Sequence, residues 1–326
     1  MTRAPLRLPA KQPVARHRDR ERGAALLTAL LIVVLVTTLA AAMLWRQARS
    51  IQIEGADRGR SQADWVLQGA LDYARLILRE DARANQKDNV DHLGEVWAVP
   101  LAEARLSSFL SSDDNHAADA GPDAFLSGYI EDAQARYNLR NLVAGSPVEL
   151  RTAQRIFQAA GLPTGLAAQV QTSLREAGNA ASAPQGDLPL MPARLDQLRW
   201  LGLTEDQIER LRPLAVMLPV VTPINVNTAS REVLAAVFEG MDLGSADRIV
   251  RARQSKPLRT IDELKSYTPQ GLEITADRSA FTSSFFFVEG QLRLDDRVLR
   301  QRSLIQRRGL DMVILDRQRL QQQADR

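Results

Sequence analysis

Residues 24–44, AALLTALLIVVLVTTLAAAML, are twenty-one uncharged residues in a row near the start of the chain. At about 1.5 Å of rise per residue, a helix of this length covers about 30 Å, the thickness of a bilayer's hydrocarbon core. One such helix anchors whatever follows it. Upstream, Arg3, Arg7, Lys11, Arg16, Arg18, Arg20 and Arg22 stand against only Asp19 and Glu21. The positive-inside rule therefore keeps this end in the cytoplasm and sends everything beyond residue 44 across the membrane. Seven basic residues against two acidic give the leader +5, so a whole-chain net charge of +3 leaves about −2 for the remainder. The high isoelectric point of about 9.5 belongs to a topogenic tail, not to a nucleic-acid surface.

Three kinds of N-terminus share these features. A cleavable secretory signal has an apolar stretch of about 7–15 residues before an A-x-A-like site. Ala40-Ala41-Ala42 offers such a site, but the run is too long. A plain signal anchor fits length and charge, yet gains nothing from Gly23, a lone glycine between the basic leader and the apolar run. Glycine, without a side chain, suits close approach by a processing enzyme.

The string Arg20-Glu21-Arg22-Gly23 followed by Ala24-Ala25-Leu26-Leu27 resembles the prepilin-type leader of type IV pilins and type II secretion pseudopilins. The resemblance implies that a prepilin peptidase cuts between Gly23 and Ala24 and methylates the amine of Ala24. Removal of 23 of the 326 residues would leave 303. The fifth mature residue in this family is usually glutamate, and here it is Thr28. A carboxylate in hydrocarbon is costly unless it meets a cation such as a neighbouring subunit's N-terminal amine. A subunit with nothing above it needs no such pair. Lack of the glutamate is similar to the K-type minor pseudopilins, which sit at the filament tip. That resemblance implies partners among the I- and J-type minor pseudopilins, contact with the inner-membrane secretion platform, and a periplasmic soluble domain working in protein export.

Beyond the membrane, Ala63, Val66, Leu67, Ala70, Leu71, Ala74, Ile77 and Leu78 form one apolar stripe at helical spacing. No proline interrupts residues 24–80, which as one helix would run about 85 Å. Gly55 and Gly59 predict a kink or frayed turn. The segment from Gly128 to Leu142 opens as a strand and ends in turn-forming asparagines, and with Trp97-Ala98-Val99-Pro100 it resembles family features. Residues 283–294, 298–307 and 310–315 read as antiparallel strands with one face to bury, against the helix spine. Between these sheet parts, Ser146-Pro147-Val148-Glu149, Thr204–Gln207 and Thr260–Glu263 carry the spacing of capping boxes. Helices are expected near 147–160, 164–177, 194–201, 205–212, 229–239, 245–253 and 261–266, with a flexible joint at 178–192.

The expected class is therefore α+β: a pilin-like fold, with a long N-terminal helix spine on an antiparallel sheet, carrying a large all-α inserted domain. Expected boundaries are a leader at 1–23, a transmembrane helix at 24–44, spine and first strands at 45–141, the insertion at 142–275, and C-terminal strands at 276–326.

A second function class rests on residues 224–264, which resemble a helix-hairpin-helix module and would make the chain a membrane-anchored DNA receptor. Such modules present Gly-hydrophobic-Gly so that backbone amides meet a phosphate. Here the tripeptide is Gly240-Met241-Asp242, and a carboxylate repels phosphate. Arg248, Arg251 and Arg253 read as a solvated helix face, so no nucleic-acid partner is expected. Enzyme readings find no support. No glycine precedes any of the four lysines, HExxH and GxSxG are missing, and there are no cysteines. His92 and His116 sit in loop-like sequence. The acidic stretch Asp113-Asp114-Asn115 with Asp119 and Asp123 lacks EF-hand spacing, and reads as a solvated loop. No cofactor is required; the family resemblance leaves calcium possible.

Overall fold

The computed structural model describes residues 17–85, 89–106, 124–180, 190–294 and 297–320. The acidic stretch 113–123, His116, most of the leader and joint, and the turn at Asp295-Asp296 lie outside them. Residues 1–62 and 63–326 form two compact units. Helix α1, His17–Ala84, takes in 68 residues. In the first unit its apolar side chains are exposed, including Leu31 and Val36, and the helix is long and apolar enough to cross a membrane. The expected frayed turn does not form: the helix runs unbroken through Gly55 and Gly59, where nothing beyond the neighbouring residues and the helix's own backbone lies within 4 Å of the place a Cβ would occupy.

In the second unit the apolar stripe of α1 does what its spacing predicts. Ala63, Leu67, Leu71, Ala74 and Leu78 are buried, each large side chain contributing about 1.5–3 kcal/mol against exposure. Their cover is a five-stranded antiparallel sheet in the order β1-β2-β7-β8-β9. Its strands are β1 (Leu101–Arg105), β2 (Ala124–Asp132), β7 (Phe285–Leu294), β8 (Arg297–Arg308) and β9 (Asp311–Leu320). Alternation decides which side chains meet the helix. Phe286, Val288 and Ile305 pack with Leu71, Leu78 and Trp97, while Leu126 and Leu292 pack with Ala63 and Leu67.

The sheet buries more than the one expected face. Phe285, Phe287 and Leu304 point the other way and pack against Val216 and Leu218, which explains an unbroken Phe285-Phe286-Phe287-Val288 run where simple alternation would leave polar residues. The covering residues come from a long excursion between β2 and β7. It holds a short strand β3 (Tyr137–Asn138), α2 (Pro147–Ala159), α3 (Gly165–Ala180), a 3-10 turn at Leu195–Leu201 and α4 (Glu205–Leu211). Then come β4 (Ala215–Val216), β5 (Ile224–Asn225), α5 (Arg231–Val237), α6 (Leu243–Ser255), α7 (Ile261–Lys265) and β6 (Ser279–Ala280). These elements share a core of their own, including Leu139, Ile156, Phe157, Leu174, Leu234 and Ile249.

Helix starts follow the sequence with one exception. Thr204 and Gln207 form a reciprocal capping box, and Thr260 Oγ1 accepts from the Glu263 amide at 3.2 Å. Ser146 makes no side-chain cap. Glu149 is drawn away, accepting from the buried Tyr137 hydroxyl at 2.6 Å and pairing with Arg278 at 3.6 Å.

Two glycines give opposite expectations for the same substitution. A Cβ at Gly128 would come within 2.6 Å of the Glu289 carbonyl oxygen across the β2–β7 pair, so Gly128→Ala should destabilise by about 1–3 kcal/mol. At Gly59 the space is open, and Gly59→Ala should stabilise α1 by about 0.5–1 kcal/mol. Denaturant midpoints of the two variants in detergent check both signs.

Candidate assembly surface and processing site

The membrane segment satisfies its own polar groups. Thr28 Oγ1 donates to the carbonyls of Ala24 at 3.1 Å and Ala25 at 2.9 Å. Thr37 donates back to Val33 at 2.9 Å and Thr38 to Leu35 at 2.9 Å. A hydroxyl bonded into the preceding turn asks nothing of a neighbouring chain, whereas a carboxylate at position 28 would need a cation. Gly23 and Ala24, the expected processing pair, lie within α1.

Past residue 62, the side of α1 away from the sheet carries Trp65, 77% exposed, with Tyr73 and Leu76 about half exposed. Leu93, Val96 and Val99, in the connection leading to β1, are exposed too. A groove of about 70 Å³ lined by Leu67, Tyr73, Ile77, Val99 and Tyr129 joins the helix to the sheet edge. Trp97 pins this connection: it is 1% exposed, meets the Phe286 ring edge-on at 5.4 Å, and donates from Nε1 to Glu95 Oε2 at 2.7 Å. Apolar exposure of this kind marks an interaction surface.

Behind it lies a buried polar junction that sequence reading missed. Asp132, at the end of β2, accepts from the Gln134 amide at 2.8 Å, Asn225 Nδ2 at 3.0 Å, and the hydroxyls of Thr228 and Ser283 at 2.6 Å each. Burial nevertheless pushes its pKa up to about 6. Arg307 on β8 donates to Asp81 Oδ2 at 3.1 Å, to Asp91 Oδ2, and to the Ser283 carbonyl at 2.7 Å. Asp81, facing Glu95 and Asp91 as well, is pushed up to about 7, first by burial and then by those two carboxylates. The nearest signal in the sequence is the alternation Asn225-Val226-Asn227 inside an otherwise apolar run. Asn225 reaches Asp132, and Asn227 clamps Leu258 with bonds of 2.8 and 2.9 Å.

Among the described residues, Asp81, Asp91 and Glu95 are the group of metal-type ligands, with one oxygen from each within 4.8 Å of the others. Calcium takes about 6–8 oxygen ligands. Here a guanidinium already bonds Asp81 and Asp91, and Glu95 accepts from Asn85, His92 and Trp97. Asp91 Oδ1 is left without a partner. This donor set does not fit the ion.

The hairpin is likewise occupied from within. Gly240 takes φ +91°, and Asp242 caps α6 by accepting from the Ser245 amide at 2.6 Å, the amide that holds its pKa down. Arg248 donates to Ser245 Oγ at 2.8 Å and Arg251 pairs with Asp247 at 3.0 Å. Arg253 departs from the expected solvated face. It is buried, donates to the Val226 carbonyl at 2.5 Å, and burial lowers its pKa to about 10. Each of these polar groups already has a partner within the module.

Comparison with known proteins follows the same line. Residues 224–282 match the family model for type II secretion system protein K. The type II secretion system protein K of Pseudomonas aeruginosa PAO1 is 31% identical over 301 residues, 85% of this chain and 86% of that protein. The chain belongs to the type II secretion system protein K family. The protein K of Pectobacterium carotovorum subsp. carotovorum is 27% identical over 335 residues, covering 92% of this chain and 97% of its own length. A chain of the GspK-GspI-GspJ complex from the enterotoxigenic Escherichia coli type 2 secretion system has the same fold, with TM-score 0.60 and 18% identity over 82% of this chain and 98% of that one. The chain is thus a minor pseudopilin, a structural component of a secretion apparatus, and the residues that first suggested DNA binding fall within the segment that matches the family model.

The junction makes stability depend on pH. A carboxyl whose folded pKa lies above its unfolded value stabilises fully below the unfolded value and loses that contribution as pH rises through the folded one. For Asp81 the window runs from about 4 to about 7, and for Asp132 from about 4 to about 6. Asp81→Asn should therefore flatten the fall in stability across that range. Urea midpoints at half-unit steps between about pH 4 and about pH 8 check it; parallel curves for the two proteins would contradict it.

Proposed function

We propose that this minor pseudopilin caps the periplasmic tip of the secretion pseudopilus, where it starts assembly with smaller minor pseudopilins. Thr28 carries the reading. Its hydroxyl is satisfied within its own helix, so the chain lacks the buried charge by which a pilin seeks the N-terminal amine of the subunit above. The amine of Ala24, freed by cleavage after Gly23 and then methylated, remains available to the subunit beneath. Growth from below stays possible.

Bulk supports the same end position. The helical elements between β3 and β6 stand on the sheet face opposite α1, and a subunit stacked one helix diameter higher, about 10 Å, would have to share that space. The similar-fold chain crystallised with GspI and GspJ supports partners of the I and J types. Processing by prepilin peptidase, docking on the inner-membrane platform, and placement of residues beyond 44 in the periplasm complete the proposal.

The partner surface is assigned to the exposed side of α1 around 63–78. Trp65 and Leu76 are solvent-exposed, so Trp65→Asp with Leu76→Asp should leave the fold intact and weaken binding to I- and J-type pseudopilins at least about tenfold, or about 1.4 kcal/mol. Co-purification of full-length proteins, with thermal melts as the folding control, is the measurement. Unchanged binding by the double variant would place the interface elsewhere.

A further inference from the structure

The sheet face turned away from α1 carries a pocket that assembly through the helix does not use. It lies where β8 and β9 meet the chain around the 3-10 turn and α4, and encloses about 50 Å³. A single water needs about 10–15 Å³ measured this way, so the space admits a group of several heavy atoms. Arg136, Arg194, Arg212 and Arg302 line it with Asp196 and Asp316.

The four arginines are unequally paired. Arg212 holds Glu209 through Nε at 3.0 Å and Nη2 at 2.6 Å. Arg194 lies 3.4 Å from Asp316 and 3.5 Å from Asp196. Arg136 and Arg302, by contrast, share one carboxylate. Arg136 Nη2 donates to Glu131 Oε1, and Arg302 Nη2 donates to Glu131 Oε2 at 3.3 Å.

Both guanidinium groups are largely out of water, their side chains 13% and 17% exposed. Nε and Nη1 of Arg136 and Nε of Arg302 have no hydrogen-bond partner, and neither does Nε of Arg194. Arg302 Cζ lies over the Phe287 ring, 4.0 Å from its centroid. Burial lowers its pKa, and the charge of Arg136 adds to the effect. These stranded donors, out of water and without an acceptor, are unfavourable as they stand. Planar, forked donors of this type match the oxygens of a phosphate or carboxylate.

We propose that this pocket binds a small free oxyanion, a phosphate or a carboxylate, seated on Arg136 and Arg302. Asp196 and Asp316 lie on the Arg194 side of the pocket, 3.5 and 3.4 Å from that guanidinium. The site is independent of the partner surface on α1 and does not rest on the tip assignment.

Titration calorimetry on the full chain in detergent micelles tests it, with sodium phosphate and sodium acetate each compared with sodium chloride at equal ionic strength. Saturable 1:1 binding with a dissociation constant below about 1 mM is expected for at least one of them. Phosphate alone assigns a phosphate site, acetate alone a carboxylate site, and both the shared chemistry. Arg302→Lys keeps the charge but loses the fork and should weaken binding at least about tenfold. Glu131→Gln removes the internal competitor and should tighten it; should that variant fold poorly, the anion should raise its melting temperature by several degrees over chloride. Heats no different from chloride in both the unmodified chain and Glu131→Gln would overturn the proposal. So would equal affinity in Arg302→Lys.

Discussion

Packing of the α1 stripe on the sheet is the constraint from which the rest of the 63–326 unit follows. Each partner would expose an apolar face without the other: α1 presents Leu67, Leu71 and Leu78 on one side, and the sheet presents Phe286, Val288, Leu292 and Ile305. Once they meet, strand alternation dictates the orientation of every other side chain in the sheet. The next residue, Phe285, must then face outward, and an apolar outward face needs a second cover. The helical elements provide it through Val216 and Leu218.

Attachment of those elements is polar as well as apolar. Asp132 and Ser283 flank the helical part, Asn225 and Thr228 lie within it, and these four buried side chains bond one another. A buried network of this kind is costly when incomplete and specific when satisfied. It fixes where the helical part leaves β2 and returns to β7, which hydrophobic contact alone would leave free to slide. Arg307 extends the junction to Asp81 on α1, so the spine, the sheet and the helical part share one set of bonds.

Local rules made much of this legible in sequence. The Thr204 box and the apolar spacing of α1 each depend on residues a few positions apart, and each appears as expected. What escaped depends on distant partners. Glu149 has the spacing of a capping residue but is taken by Tyr137 and Arg278, and Arg253 belongs to a charged helix face yet is drawn inward by the Val226 carbonyl. The same is true of the assembly surface: helical periodicity locates its buried side, whereas the contribution of Val96 and Val99 depends on how Trp97 anchors the connection. The oxyanion pocket had no sequence signal, because Arg136, Arg194 and Arg302 are brought together only by the return of β8 beside the helical part.

A pseudopilin whose membrane helix has no charge to offer upward should occur once per filament, with its helical part uncovered. The most direct measurement is electron microscopy of pseudopili labelled with an antibody to the segment 142–275. The account predicts label at one end of each filament. Label repeated along the length would contradict it.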